Sequence, residues 1–391
     1  EDEIQSLVHV LHNTFRIGGD SLAYDTPILL EKDGRVEYKS IGAFCEGQGL
    51  GQIPPGYRAL SVNAETGLVS FKPVYATIRH ENPSKFVEIE LVTGHKIVVT
   101  DNHSMLSLGK DGAITVVAPK DNPQNIIMPR YFNFIGIQDC DRMFYDPVFA
   151  RILGYYAAWG HADGDFLVFE GLSRGQRKYI DAYFSDRIQG YQSRYEKCAP
   201  KNACNAPWAN HGVFVCAVGL EMASLFGELC GYTQETKHLP QCEFPFNAVG
   251  MDFVSGFAEV SGLFRETCLA IGTMSPALAR GLSLLLLQEG IVHTKKPLIL
   301  GTGTKMPGIV GEWGAPYEVL RIPGEYVQNK LSFVSEYKTR RANQLAPWTY
   351  KKYTDYSGLR DKIDKVYRRF GITFNAYGRR WMVTQEMLAQ I

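Results

Sequence analysis

The sequence predicts a multidomain chain, with an all-β domain first and then an α+β domain built from a duplicated αββαββα unit. Three observations lead there. Short apolar strands separated by polar turns fill residues 21–137, with little helical periodicity. Past residue 138 the period lengthens to that of helices, and two apolar helices rich in small residues recur about a hundred residues apart, Phe149 to Gly160 and Phe253 to Gly262. The 391 residues, 45% hydrophobic and 21% charged, are enough for two or three domains with cores of their own.

Taken in order, residues 1–20 place Ile4, Leu7, Val8 and Leu11 at helical spacing and predict one short amphipathic helix that stops near Asn13. A strand through Pro27 to Leu30 follows, then a turn at Asp33-Gly34, a strand from Val36 to Tyr38 and a hairpin around Thr66-Gly67. Further strands are predicted at Val74 to Ile78, Phe86 to Val92 and Lys96 to Thr100. After a loop at 139–147 comes the helix Phe149 to Gly160, whose Gly154, Ala157 and Ala158 let a second helix backbone approach closely. Strand Phe166 to Phe169, helix Arg174 to Phe184, strand Gly212 to Val218 and helix Glu221 to Leu229 complete the first copy. The second copy reads as helix Phe253 to Gly262, strand Cys268 to Ile271 and a helix capped by Ser275 with Pro276 at its first position, running to Glu289. Strands at Tyr317 to Ile322 and Leu331 to Val334 close it. The copies span about 149–245 and 250–345.

Composition excludes several classes. No apolar run approaches the roughly 18 residues of a membrane span, and the opening Glu1 to Leu7 is neither a signal peptide nor a Met start, so the chain reads as a fragment or a processed piece. Eight cysteines (45, 140, 198, 204, 216, 230, 242, 268) form no C-x-x-C, which argues against a structural zinc site or a disulfide framework. Net charge is zero, but its distribution is uneven. Residues 338–380 hold twelve Lys and Arg against three Asp, a net +9 that includes Lys338, Arg340, Arg341, Lys351, Lys352, Arg368 and Arg369. With Tyr350, Tyr353, Tyr356, Tyr367 and Trp381 interleaved, this run suits phosphate contact along a DNA duplex, or else a solvated basic helix such as Gly358 to Phe370.

Two further stretches carry chemistry. Ser21 heads the strand that follows Asp20, and about eighty residues on Gly94 to Leu106 contains Thr100-x-x-His103. A serine hydroxyl before a strand, followed by a T-x-x-H after another, resembles the first and second blocks of an intein's Hint splicing domain. That resemblance implies a horseshoe-shaped all-β domain over 21–137, preceded by a host-protein tail over 1–20. It also implies an acyl shift in which Ser21 attacks the Asp20 carbonyl while His103, assisted by Thr100, donates to the departing nitrogen. Ser21 stands where most inteins carry Cys. No cofactor is implied for this step; the implied partners are host (extein) segments and a C-terminal intein fragment supplying the missing closing blocks, and the location is intracellular, following the host protein. Val10 to Thr14 resembles an intein's last block, as in a permuted chain, but a host tail is the preferred reading.

The duplicated region 138–345 is similar to the two-repeat LAGLIDADG homing endonucleases that many inteins carry, with 346–391 as a basic C-terminal extension. In that family each central helix ends in an acid before Gly, and the two carboxylates hold divalent metal such as Mg²⁺. Here the two positions are Trp159 and Ser261. Asp163, Asp165 and Glu259 lie nearby, the last about 200° away round the helix. The resemblance therefore implies a domain that binds double-stranded DNA and no longer cuts it. Two other classes stay open, a DNA-binding module that uses the sheets of the duplicated domain, and a hedgehog-like self-cleaving protein needing only Ser21, Thr100 and His103.

Overall fold

The computed structural model describes residues 22–33, 35–48, 53–62, 69–78, 85–91, 94–108, 114–121, 123, 126, 142–197, 212–240, 245–299 and 316–346. The chain divides into two compact units, Glu1–Ile135 with Thr349–Ile391, and Gly136–Trp348. Both are mixed: small antiparallel sheets joined by helices and turns.

In the first unit, β1 (Pro27–Lys32), β2 (Arg35–Ser40), β3 (Arg58–Val62) and β4 (Val69–Pro73) form a sheet in the order β2-β1-β3-β4. Ile28 and Leu30 alternate with Leu29 on β1 and pack with Phe44, Tyr57, Ala59 and Val74 into a small core. Phe44 comes from a helix, α1 (Ile41–Gln48), that the all-β expectation lacks. Its two glycines and single buried side chain leave no periodic signal. The expected strand Val74 to Ile78 is unpaired chain, of which only Val74 enters the core. Two hairpins follow: β5 (Phe86–Glu90) with β6 (Lys96–Thr100), and β7 (Met105–Leu108) with β8 (Ile114–Val117).

The second unit repeats one plan twice. Its first half runs α2 (Pro147–Trp159), β9 (Gly160–Asp163), β10 (Phe166–Glu170), α3 (Arg174–Arg187), β11 (Gln192–Lys197), β12 (Gly212–Ala217) and α4 (Leu220–Cys230). The second half runs α5 (Phe246–Ser261), β13 (Leu263–Phe264), β14 (Cys268–Thr273), α6 (Pro276–Gln288), β15 (Thr294–Ile299), β16 (Pro316–Pro323), α7 (Gly324–Lys330) and α8 (Glu336–Asn343). The sheets are β9-β10-β12-β11 and β13-β14-β16-β15, so both halves order their strands first, second, fourth, third. Helix starts follow local chemistry. Asp146 accepts from the Val148 amide at 2.8 Å with Pro147 at the first position, and Ser173 and Gln176 form a reciprocal capping box. Ser275 caps α6 by accepting from the Leu278 amide at 3.2 Å.

One core serves both halves. Phe149, Leu153, Tyr156, Phe226, Phe253, Phe257, Leu285 and Ile322 belong to a single buried cluster. At its centre α2 and α5 touch backbone to backbone. A Cβ added to Gly154 would lie 2.2 Å from the Phe253 carbonyl oxygen, and one on Gly256 would lie 2.1 Å from that of Arg151.

Two expectations need correcting here. Leu331 to Val334 is a loop between α7 and α8, because its polar groups bond inward to side chains and not to a strand. The Ser332 amide donates to Ser255 Oγ at 3.2 Å, and the Ser332 carbonyl accepts from Arg151 at 2.9 Å. Conversely, Thr294–Ile299 is a strand despite Pro297, which an edge position tolerates. Among the described residues no helix is long and apolar enough to cross a membrane.

Candidate functional site

In the first unit β6 ends on Thr100, fully buried and opposite Phe86 of β5. The chain turns through Asp101 and Asn102, and the His103 amide donates to the Thr100 carbonyl at 3.0 Å. Bonds from the Asp101 amide to Lys85 O (2.9 Å) and from the Lys120 amide to Asp101 O (2.8 Å) hold the turn in place. His103 is 1% exposed. The T-x-x-H spacing thus brings both side chains into one buried corner. Leu22 comes to the same corner by an antiparallel bridge to Val99, and the Ala23 amide donates to Val98 O at 3.2 Å. Asp20 and Ser21 lie outside the described residues, as does the 1–20 tail.

The second unit places its central helix ends differently from a metal site. Trp159 is half-buried against the core, and Ser261 is buried with its Oγ donating to Phe257 O at 3.0 Å. Glu259 points into the seam between α2 and α5. Its carboxylate accepts from Tyr155 Oη at 2.9 Å and from the Ser335 amide at 2.7 Å, and pairs with Arg151 at 3.6 Å. Arg151 is itself buried, and bonds Asp252 at 3.4 Å as well as both the carbonyl and the hydroxyl of Ser332. Burial, reinforced by Glu259, raises the Tyr155 hydroxyl far above its ordinary range and keeps it a donor. Sequence reasoning missed Arg151, and the available signal was an arginine inside an otherwise apolar helix.

Lys338, expected among the DNA contacts, turns inward. Its ammonium donates to the carbonyls of Ala258, Glu259 and Gly262, the otherwise unsatisfied C-terminal groups of α5. Burial pulls it down to about 8, against the attraction of Glu259. Charge counts carry no direction, which is why the sequence misplaced it.

These residues do not fit a divalent metal. An indole and a hydroxyl already bonded to its own helix offer no carboxylate, Glu259 is saturated by three donors, and an ammonium sits at the end of α5. Asp163 and Asp165 are exposed around the β9–β10 turn. Among the described residues no three His, Cys, Asp or Glu side chains are grouped to hold an ion. Arg340 is exposed and Arg341 half-buried on α8, whereas Lys351, Lys352, Arg368 and Arg369 lie outside the described residues. An open groove of about 560 Å³ runs beside α8, lined by Phe333, Val334, Glu336, Thr339, Arg340 and Asn343.

Comparison with known proteins gives partial likenesses. No family model matches the chain. A DNA polymerase of Thermococcus sp. (strain GE8) is 28% identical over 141 residues, 33% of this chain; the chain spans only 8% of that relative's length. Among solved structures, I-DmoI in complex with DNA and Ca is similar over 48% of this chain and 91% of its own, at 11% identity and a TM-score of 0.33. Mesophilic variants of the homing endonuclease I-DmoI match over 48% of this chain and 91% of theirs, at 12% identity and a TM-score of 0.32. Likeness at this level leaves the argument to the chain's own residues.

Proposed function

We propose that this chain is a self-processing protein of intein type, whose first unit rearranges the Asp20–Ser21 bond and whose second unit binds duplex DNA without cutting it. One observation carries the processing reading: Leu22, joined covalently to Ser21, is held across β6 from Val99, beside Thr100 and the buried His103. In the reaction the Ser21 hydroxyl adds to the Asp20 carbonyl carbon and the C–N bond breaks. The hydroxyl proton ends on the freed amine, so an amide becomes an ester with no net loss of atoms. A fixed imidazole that donates to the departing nitrogen removes the main obstacle, since an amide anion is a poor leaving group.

The test is release of residues 1–20 from the purified chain by hydroxylamine, followed by mass spectrometry. Release is expected from the parent and not from Ser21→Ala or His103→Ala, and Ser21→Cys should quicken release by dithiothreitol because a thioester is more labile. A folded parent that releases nothing, or a His103→Ala variant that releases as fast as the parent, refutes the reading. For the second unit, support comes from the basic run at 338–380 and from central helix ends that offer no carboxylate.

A further inference from the structure

Which surface of the second unit could hold a duplex is not settled by the basic run, since its most N-terminal lysine is turned inward. The open face of the first sheet is unsuited. Glu170 and Glu196 flank Val213 on it, Asp163 stands at its edge, and its arginine, Arg194, bonds Glu196 at 2.6 Å. The corresponding face of the second sheet is not open, because Ala270, Tyr317 and Val319 are all buried.

Elsewhere, two helix starts converge. Gln176, in the first turn of α3, donates through Nε2 to the Glu259 carbonyl at 3.4 Å, and Lys338, in the first turn of α8, donates to the same oxygen. Ser335, the cap of α8, bonds the Glu259 carboxylate through its amide. A Cβ on Gly175 would lie 3.9 Å from Val334 Cγ1, and Val334 lines the same groove as Arg340. The positive ends of α3 and α8 therefore lie side by side. Around them stand three exposed cations: Arg174 and Lys178, one turn apart on α3, and Arg340 on α8. The groove adds one acid, Glu336, so positive charge prevails.

We propose that the phosphate backbone of duplex DNA is held on this patch, by Arg174, Lys178 and Arg340 at the paired starts of α3 and α8, and not on the faces of the two sheets. The inference rests on the DNA-binding reading and assigns its surface. Arginine and lysine side chains flanking exposed helix starts supply charge and donors for phosphate without reading sequence. Each phosphate so neutralised contributes roughly 0.9 to the slope of log affinity against log salt.

The experiment is fluorescence anisotropy of a labelled duplex titrated with the full chain across a salt series. The variant Arg174→Gln/Lys178→Gln/Arg340→Gln is compared with the parent and with Arg194→Gln on the first sheet. All these side chains are exposed, and matching thermal melts check the fold. The triple variant should flatten the slope by about 2 to 3 and weaken low-salt binding by on the order of tenfold or more, while Arg194→Gln matches the parent. A triple variant that keeps the parent's slope and affinity overturns the patch and leaves the DNA reading standing, and an Arg194→Gln slope as flat as the triple's relocates the surface to the sheet. A parent that shows no salt-dependent binding at all overturns the DNA reading itself.

Discussion

Replacing Lys237 with methionine should stabilise the second unit, and by an amount that depends on pH. Lys237 is fully buried on the link between the two repeats, its ammonium 2.9 Å from the Gly231 carbonyl and 3.5 Å from the centre of the Tyr156 ring. Burial pulls its pKa from 10.5 to about 7, and the facing thiol of Cys230 only partly counters this. At roughly 1.4 kcal/mol per pH unit, holding the charged form inside costs up to about 5 kcal/mol. Contact with the ring returns about 1 to 2 kcal/mol of that. Methionine keeps the apolar stem, and Gly231 O keeps the Tyr156 hydroxyl at 3.2 Å as a donor, so a gain of about 1 to 3 kcal/mol is expected near neutrality. The sign with pH follows from linkage. Between about 7 and 10.5 the unfolded chain binds the proton that the folded one has released, so parental stability rises with pH across that window. The advantage of methionine should accordingly be greatest below pH 7 and shrink toward pH 10. Urea unfolding at several pH values, followed by hydrogen exchange in α4 and α6, measures it. A methionine variant that is weaker at every pH, or whose advantage does not change with pH, would mean that the ammonium is a net stabiliser and that the burial argument is wrong.

Other outcomes follow from the central helix pair. Gly256→Ala should destabilise by about 1 to 3 kcal/mol or more, because its methyl would meet the Arg151 carbonyl oxygen at 2.1 Å; a midpoint in urea equal to the parent's would show that the helices can separate freely. The unmodified chain should leave duplex DNA uncut in Mg²⁺ or Mn²⁺. Nicking that disappears in Asp163→Asn or Asp165→Asn would place the acids on the β9–β10 turn.

What could be read from sequence tracks how locally each feature is encoded. The caps Ser173 and Ser275, the proline at the start of α6 and the glycines of α2 and α5 lie within a few residues of what they control, and their helices form where the pattern puts them. α1 escaped because tertiary contact of Phe44 alone holds it. β15 escaped because only its place at a sheet edge excuses Pro297. At the candidate sites, the pairing of Thr100 with His103 was legible, being one tight turn. The roles of Arg151, Glu259 and Lys338 were not, since each is set by groups 76 or more residues away in sequence, such as Glu259 with Ser335 and Lys338 with Ala258.

The shared seam between α2 and α5 also has a cost during synthesis. At roughly 5 to 20 residues per second, a ribosome that has finished α2 needs on the order of 5 to 20 s to deliver the start of α5. Throughout that interval Gly154 and the apolar surface around it have no partner helix. The first repeat must wait half-finished in the cytosol, where its bare stripe invites aggregation or a chaperone. A duplication that gives two repeats one core thus turns a packing arrangement into a problem of timing.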